Sequence, residues 1–208
     1  RYSELIESMQ WPARRLLICG MHVHVGVSDG ARAITIINEL RRHLPLFLAL
    51  SSSSPFFEGE DSGLASARSK VFESLPTAGL PPQLADWTDF EAFMSTLLDS
   101  RCISSIREVW WDIRPHPDFG TVEFRMCDAT PTVRAAVALA VPLVAAALVW
   151  SGDDGVRWQG HFAGVAVLPL VIDPLSRLFG TIFAVMAFGG VLFGLNQANR
   201  LELPASLL

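Results

Sequence analysis

Two histidines separated by one residue lie in a stretch whose side chains alternate between apolar and polar. In residues 19–26, His22 and His24 point to one face of a predicted strand, and the apolar residues that alternate with them point to the other. Residues two apart on a strand are roughly 7 Å apart, so both imidazoles can face one ligand or metal ion. A pair of buried, hydrogen-bonded histidines would show the same pattern, and the stretch alone favours neither interpretation.

Two further stretches, 109–114 and 121–127, alternate in the same way. Arg114 lies on the polar face of the first, and Glu123 and Arg125 lie on the polar face of the second. Imidazole, carboxylate and guanidinium groups on one open sheet face are unfavourable unless water, a metal ion or a ligand satisfies them. The combination therefore favours a functional site over a plain exposed sheet face.

Helices and a long loop are predicted around these strands. Apolar residues recur at helical spacing in four segments: 2–15 (interrupted at Pro12), 31–42, 46–50 and 88–98. Thr88 is the predicted N-cap of the last helix. Residues 55–82 are rich in Gly, Ser and Pro and are predicted to form a long loop. Arg68 in this loop suits a carboxylate or phosphate, although a solvated loop arginine is the simpler interpretation.

The composition excludes some classes of protein and divides the chain. The net charge of -5 offers no support for nucleic-acid binding. Three cysteines without a C-x-x-C motif indicate free thiols in a reducing compartment. Of the 37 charged residues, 30 lie in 1–134, so the remainder of the chain differs physically from the front. Because the chain begins at Arg1 without a methionine, we expect a piece of a longer protein.

The back of the chain is predicted to be a membrane-inserted helical hairpin. Two apolar runs, 135–150 and 175–195, have about the length of bilayer-spanning helices, and a polar turn is predicted at 151–160 between them. The sequence therefore predicts an α+β domain at 1–133 in the cytoplasm and an apolar pair of helices at 134–208 in the membrane.

Six motifs in the front part resemble the glutamate–cysteine ligase-like carboxylate–amine ligases. They occur in the family's order: CGMHVHVG at 19–26, LALSSSSPFF at 48–57, DSGLASAR at 61–68, PTAGLPP at 76–82, WDIRP at 111–115 and TVEFRMCDATPTV at 121–133. The resemblance implies a partial glutamine-synthetase-like antiparallel sheet. It also implies that ATP converts a substrate carboxylate to an acyl phosphate, that Mg²⁺ bridges the phosphates, and that an amine then displaces phosphate.

The resemblance also implies residue roles, substrates and a limitation. It assigns metal ligation to His22 and Glu123, catalysis to Arg114 and Arg125, and substrate or nucleotide binding to His24 and Arg68. The implied partners are small amino acids and amines with ATP and Mg²⁺, and a homo-oligomer is compatible with the family. The family's glutamate-rich first strand has no counterpart here, so we expect an incomplete active site and no ordinary ligase turnover.

Two alternative functions are open at this stage. Residues 167–179 and 188–203 resemble the N-terminal helices of proton-conducting antiporter and complex-I-type membrane subunits. A membrane-anchored subunit fragment with a non-catalytic front domain is therefore one alternative. A metallohydrolase that binds Zn²⁺ through His22 and His24 is the other.

Overall fold

The computed structural model describes residues 2–152, 155–162 and 165–187, and the chain divides into two compact units whose boundary in sequence falls between Ala136 and Val137. The first unit contains α1 (Tyr2–Met9), α2 (Trp11–Arg14), β1 (Val23–Gly26), α3 (Gly30–Leu40), α4 (Leu44–Ser51), β2 (Phe56–Phe57), β3 (Glu60–Asp61), α5 (Ala67–Glu73), α6 (Trp87–Asp99), β4 (Ile113–His116) and β5 (Thr121–Phe124). Short 3₁₀ turns lie at Arg41–His43, Ile106–Glu108 and Pro117–Phe119. Then α7 (Val133–Ser151), β6 (Gly155–Phe162), β7 (Val165–Ile172) and α8 (Pro174–Ala187) follow.

An antiparallel sheet of three strands, in the order β1-β5-β4, is the centre of the first unit. One face of the sheet is apolar and buried, and α3 packs against β4 and β5. The buried side chains of α3 recur at helical spacing: Ala33, Ile34, Ile36, Ile37 and Leu40. The predicted α+β class is therefore confirmed for the front of the chain, whereas the glutamine-synthetase-like curvature stays a prediction.

The strands are shorter than predicted. The first begins at Val23 rather than at the start of the 19–26 stretch, and the second covers Ile113–His116 rather than 109–114. Before β4, the Asp112 amide donates to the Gly79 carbonyl oxygen at 2.8 Å, and Trp111 forms a bridge with Gly79. This segment therefore pairs with a loop before the strand joins the sheet.

The N-cap of α6 was predicted wrongly. The carboxylate of Asp86 accepts the Asp89 amide at 2.9 Å, and the helix begins at Trp87. Thr88 already lies in the first turn. Asp86 has the extended backbone that an N-cap requires, and its short carboxylate reaches the free amides of that turn.

The long loop predicted at 55–82 contains regular structure. The β2–β3 hairpin is followed by α5, whose N-cap Ser66 accepts the Ser69 amide at 3.2 Å. Arg68 lies on α5 and is only 4% exposed, so the solvated-loop interpretation of this residue is wrong. The serine cap begins a helix within a stretch whose glycine and proline content indicated a loop.

A buried carboxylate connects the serine run after α4 to the segment after β5. Asp128 is 1% exposed and accepts the Ser53 amide at 2.9 Å and the Ser54 hydroxyl at 2.7 Å. Its other oxygen accepts the Ser66 hydroxyl at 2.9 Å and lies 3.7 Å from Arg68 Nη1. Residues far apart in sequence are therefore held together by one side chain.

The second unit contains a β-hairpin that the sequence pattern did not predict. Strands β6 and β7 pair antiparallel where a polar turn was expected at 151–160. The alternating valines and aromatic residues of this region suit a strand better than a turn.

Membrane insertion is not confirmed. Among the described residues, α7 is the one helix with the length and hydropathy of a membrane span, and a buried helix in a soluble core meets the same criteria. Helix α8 has 14 described residues, fewer than the roughly 20 that cross a bilayer. The rest of the predicted second span, 188–195, and the resemblance at 188–203 lie outside the described residues.

Replacing Asp128 by alanine should lower the free energy of unfolding by about 3–5 kcal/mol, because the buried Arg68 guanidinium loses its nearby negative charge and three hydrogen-bond donors lose their acceptor. Urea unfolding followed by tryptophan fluorescence measures the change. The control is Asp99→Ala at the exposed end of α6, expected to change stability by less than about 0.5 kcal/mol. Equal effects of the two substitutions would contradict the structural role of Asp128.

The three thiols should differ in reactivity. Cys127 is buried, and this burial raises its pKa to about 11, whereas Cys19 and Cys102 are exposed. Since the thiolate is the reactive form, a thiol reagent at pH 8 should modify two cysteines in the native protein and the third only after unfolding. Rapid modification of Cys127 in the native protein, identified by mass spectrometry, would show that this thiol is accessible to solvent and would contradict its burial.

Candidate functional site

One row of residues across the sheet combines three kinds of ionisable group. The strand register places His24 of β1 opposite Glu123 of β5, and Glu123 opposite Arg114 of β4. Since side chains alternate along each strand, all three lie on the face opposite the one covered by α3. This arrangement follows from two features: side chains alternate with a period of two along each strand, and the three strands pair in the register just given.

Four side chains converge on the Glu123 carboxylate, and we call these five residues the Glu123 cluster. Oε2 accepts a hydrogen bond from Arg114 Nε at 2.7 Å. Oε1 accepts from His22 Nδ1 at 3.0 Å, and it lies 3.6 Å from Arg125 Nε and 3.8 Å from His24 Nε2. The predicted convergence of imidazole, carboxylate and guanidinium groups from separate strands is therefore confirmed.

The cluster is not on an open sheet face, as the sequence analysis expected. Glu123, Arg114 and Arg125 are all buried, whereas the side chains of His22 and His24 are 38% and 34% exposed. The two histidines therefore form the solvent-facing part of the site.

Both arginines of the cluster are held by the chain segment before β4. Arg114 Nη1 donates to the Val109 carbonyl oxygen at 2.7 Å, and Arg125 Nη1 donates to the same oxygen at 3.4 Å. The Arg125 guanidinium also lies 5.7 Å from the centre of the Trp110 ring and 5.5 Å from that of Phe72. These aromatic rings help to cover the buried cations and contribute cation–π attraction.

The protonation of the cluster follows from these contacts. Burial by itself would raise the pKa of Glu123, but hydrogen bonds from His22 and Arg114 and the charges of both arginines lower it to about 2. Burial and repulsion by Arg114 lower the pKa of Arg125 to about 10. Burial also lowers the pKa of His24, although Glu123 opposes this effect. At neutral pH the Glu123 carboxylate is therefore ionised and Arg125 is charged.

Arg68 supports this region without binding Glu123. Its guanidinium donates to the main-chain oxygens of Arg125 at 2.8 Å and Met126 at 3.0 Å. A Cβ atom at Gly20 would lie 2.3 Å from Arg68 Nη2, so the glycine leaves the space that this guanidinium occupies. The structure therefore places Arg68 against the main chain that directly follows β5, and the predicted substrate-binding role of Arg68 stays a prediction.

Sequence reasoning missed the next row of the same sheet face. Thr121 pairs with both Gly26 and His116, and its hydroxyl lies 3.0 Å from His24 Nδ1. His116 is 9% exposed and stacks on Phe119 with ring centres 4.3 Å apart. The period of two could have identified Thr121, since it lies two residues before Glu123. His116 lies beyond the predicted strand 109–114, and its position in the site depends on where β4 ends.

The charges of the cluster suit an anion better than a divalent cation. Two arginines face one carboxylate, and both carboxylate oxygens already accept hydrogen bonds from cationic or imidazole nitrogens. Mg²⁺ prefers six oxygen ligands. The described ranges contain no group of three His, Cys, Asp or Glu side chains placed to hold a metal ion. His22 and Glu123 by themselves therefore do not fit a Mg²⁺ centre, whereas a phosphate or carboxylate fits the surplus positive charge.

Replacing Glu123 by glutamine should destabilise the protein at neutral pH by about 3 kcal/mol, because two buried arginines lose their counter-charge. The pKa of Glu123 is lowered from 4.5 to about 2, so its stabilising effect is complete above pH 4.5 and is lost as the pH falls to 2. The stability gap between wild type and Glu123→Gln, measured by urea unfolding, should shrink over this range.

Glu73 provides the matched control for that experiment. It is exposed and pairs with Lys70, so Glu73→Gln should change stability by less than about 1 kcal/mol. The difference in unfolding free energy between wild type and Glu123→Gln should therefore change with pH. A difference that stays constant between pH 5 and pH 2 would show that the Glu123 carboxylate is not ionised preferentially in the folded state.

Comparison with known proteins identifies relatives for most of the chain. The model of glutamate–cysteine ligase family 2 (GCS2) matches residues 1–157. A protein of Thermobifida fusca named "Putative glutamate--cysteine ligase 2" is 66% identical over 134 residues, which are 64% of this chain and 34% of that protein. A protein of Bdellovibrio bacteriovorus with the same name is 44% identical over 161 residues, 76% of this chain and 43% of that protein.

A third relative agrees with these matches. The protein of Frankia alni named "Putative glutamate--cysteine ligase 2-1" is 62% identical over 147 residues, 69% of this chain and 38% of that protein. The chain thus spans between about a third and two fifths of the length of these curated relatives. The family match extends beyond residue 133 and includes α7. The chain belongs to glutamate–cysteine ligase family 2.

Proposed function

We propose that the chain forms the anion-binding side of an ATP-dependent carboxylate–amine ligase, which joins an amino acid carboxylate to an amine through an acyl phosphate. The observation that carries the proposal is the Glu123 cluster, in which Arg114 and Arg125 leave a surplus of positive charge behind two exposed histidines. Membership of the family supports a ligase of the glutamate–cysteine type.

The residues of the cluster have different tasks in this proposal. Arg114 and Arg125 attract the phosphates of ATP or the substrate carboxylate, and their burial strengthens this attraction because water screens it less. Glu123 keeps both guanidinium groups in place through its two oxygens. His22 and His24, at the solvent-facing edge, are the side chains that first contact an entering anion.

One hydrogen-bond donor of Arg125 has no partner among the described residues. Its Nε is buried and makes no hydrogen bond, although it lies 3.6 Å from Glu123 Oε1. A phosphate or carboxylate oxygen that reached this buried nitrogen would satisfy the donor, and we propose this contact as the catalytic role of Arg125. Magnesium, also implied by the family, would need oxygen ligands beyond Glu123, and we assign it no step here.

The two alternative functions are less well supported. The family match includes α7, so the antiporter-fragment hypothesis does not account for a helix that belongs to the ligase family. A zinc hydrolase needs three protein ligands around the metal, and no such group is present among the residues described. The ligase proposal includes a cytoplasmic location for the first unit.

Nucleotide binding tests the proposal. In isothermal titration calorimetry with the full chain and Mg²⁺, ATP should bind at least about tenfold more tightly than AMP, since the site recognises phosphate charge. His24→Ala should weaken ATP binding by about fivefold through the loss of a contact at the edge of the cluster. His43→Ala, in the 3₁₀ turn after α3, is the control and should leave binding unchanged.

Equal affinities for ATP and AMP, or no effect of His24→Ala, would contradict the anion-binding role. Tight binding of Zn²⁺ that His22→Ala and His24→Ala both abolish would instead favour the hydrolase.

A further inference from the structure

Helix α8 exposes the large apolar side chains that a helix of a water-soluble domain normally buries. Six of these residues are 44–63% exposed: Leu175, Leu178, Phe179, Ile182, Phe183 and Met186. They follow the i, i+3, i+4, i+7 spacing of a single helical face, and we call this face the α8 stripe. Val185 is the one large apolar residue of α8 outside the stripe.

The other side of α8 is built from small residues and packs against α7. Thr181 and Ala184 are buried. A Cβ atom at Gly180 would lie 2.9 Å from a methyl carbon of Val149, so the glycine lets the two helices approach closely. In water this arrangement is inverted, because the burial of large apolar side chains drives helix packing. Between lipid tails, small residues at the helix contact are the usual pattern.

The side chains typical of a membrane–water interface lie together at one end of the helix pair. The Trp150 indole N–H donates to the Thr181 hydroxyl at 2.9 Å. The Arg177 guanidinium lies 5.8 Å from the centre of the Trp150 ring and donates to the Gly152 carbonyl oxygen at 2.7 Å. Tryptophan and arginine place an apolar body towards lipid and a polar tip towards the headgroups. Away from this end, residues 137–149 and 178–187 contain no charged side chain.

Helix α7 adds to the exposed apolar surface of the second unit. Val137, Val141 and Leu148 are 53–60% exposed and also recur at helical spacing. Only 28% of the most apolar 18-residue stretch of α7 is buried, whereas the core helix of a soluble protein is mostly buried. The low burial therefore separates α7 from the soluble-core helices that share its length and hydropathy.

We infer that the α8 stripe contacts the hydrocarbon of a lipid bilayer, with Trp150 and Arg177 at the level of the headgroups. The 14 residues of α8 extend about 21 Å, less than the roughly 30 Å of bilayer hydrocarbon, so α8 enters the bilayer without crossing it over this length. The second unit then attaches the first unit to a membrane surface.

A lipid surface fits the α8 stripe better than a second copy of the chain does. The six side chains of the stripe contain no nitrogen or oxygen atom. Protein interfaces, by contrast, carry about one hydrogen bond per 100–200 Å² and a polar rim. The glutamate–cysteine ligase family match ends at residue 157, so membership of that family does not account for the stripe. The lipid contact is independent of the proposed ligase function.

Vesicle flotation tests the lipid contact with the full chain, synthesised in a cell-free system in the presence of phosphatidylcholine vesicles. Most of the protein should float with the vesicles, and about 0.5 M NaCl should not release it, because salt screens charge interactions and not apolar contact. Recovery of the protein in the vesicle-free fractions, or its release by salt, would overturn the assignment.

Substitutions locate the contact. Phe183→Asp and Met186→Asp each place a carboxylate on the stripe, at positions exposed enough to leave the packing against α7 unchanged. Each should lower the vesicle partition coefficient, measured by lipid titration, by at least about tenfold, because a carboxylate is unfavourable in hydrocarbon. Phe56→Asp in β2 is the matched control, since Phe56 is 66% exposed and Phe183 63%, and it should leave the coefficient unchanged. Wild-type partition of both stripe variants would overturn the inference.

Sedimentation velocity of the full chain without vesicles tests the competing occupant, a second copy. A dimer that Phe183→Asp dissociates, together with no flotation of the wild type, would assign the stripe to contact between copies and overturn the lipid assignment. Loss of the preference for ATP over AMP with retained flotation would refute the proposed function and support the lipid contact.

Discussion

The carboxylate of Glu123 is the single charge on which the arrangement of the central sheet depends. Burying two guanidinium groups costs several kcal/mol each unless an opposite charge and hydrogen bonds compensate them. Glu123 bonds Arg114 directly and lies close to Arg125, and the Val109 carbonyl oxygen accepts from both arginines. The three strands and the segment before β4 therefore share one electrostatic centre, and a shift in strand register would separate its members.

A second buried carboxylate does the corresponding work behind the sheet. Asp128 orders the serine run after α4 and the start of α5, and Arg68 on that helix binds the main chain where Arg125 and Met126 lie. The two centres are connected through the backbone of β5 and the residues that follow it. Networks of this kind restrict a fold to one arrangement, because their hydrogen bonds form in that arrangement only.

Local sequence was sufficient for the features that depend on neighbouring residues. The period of two placed His22, His24, Arg114 and Glu123 on polar strand faces. Helical spacing located α1, α3, α4 and α6, whereas α5 lies in a stretch that was predicted to be a loop. Only the tertiary structure decided which residues meet across the chain. Asp128 contacts Ser53, 75 positions earlier, and His116 joins the site because β4 extends two residues beyond Arg114. Such contacts depend on strand register and on the path of a loop, and no periodicity within a single segment encodes either of them.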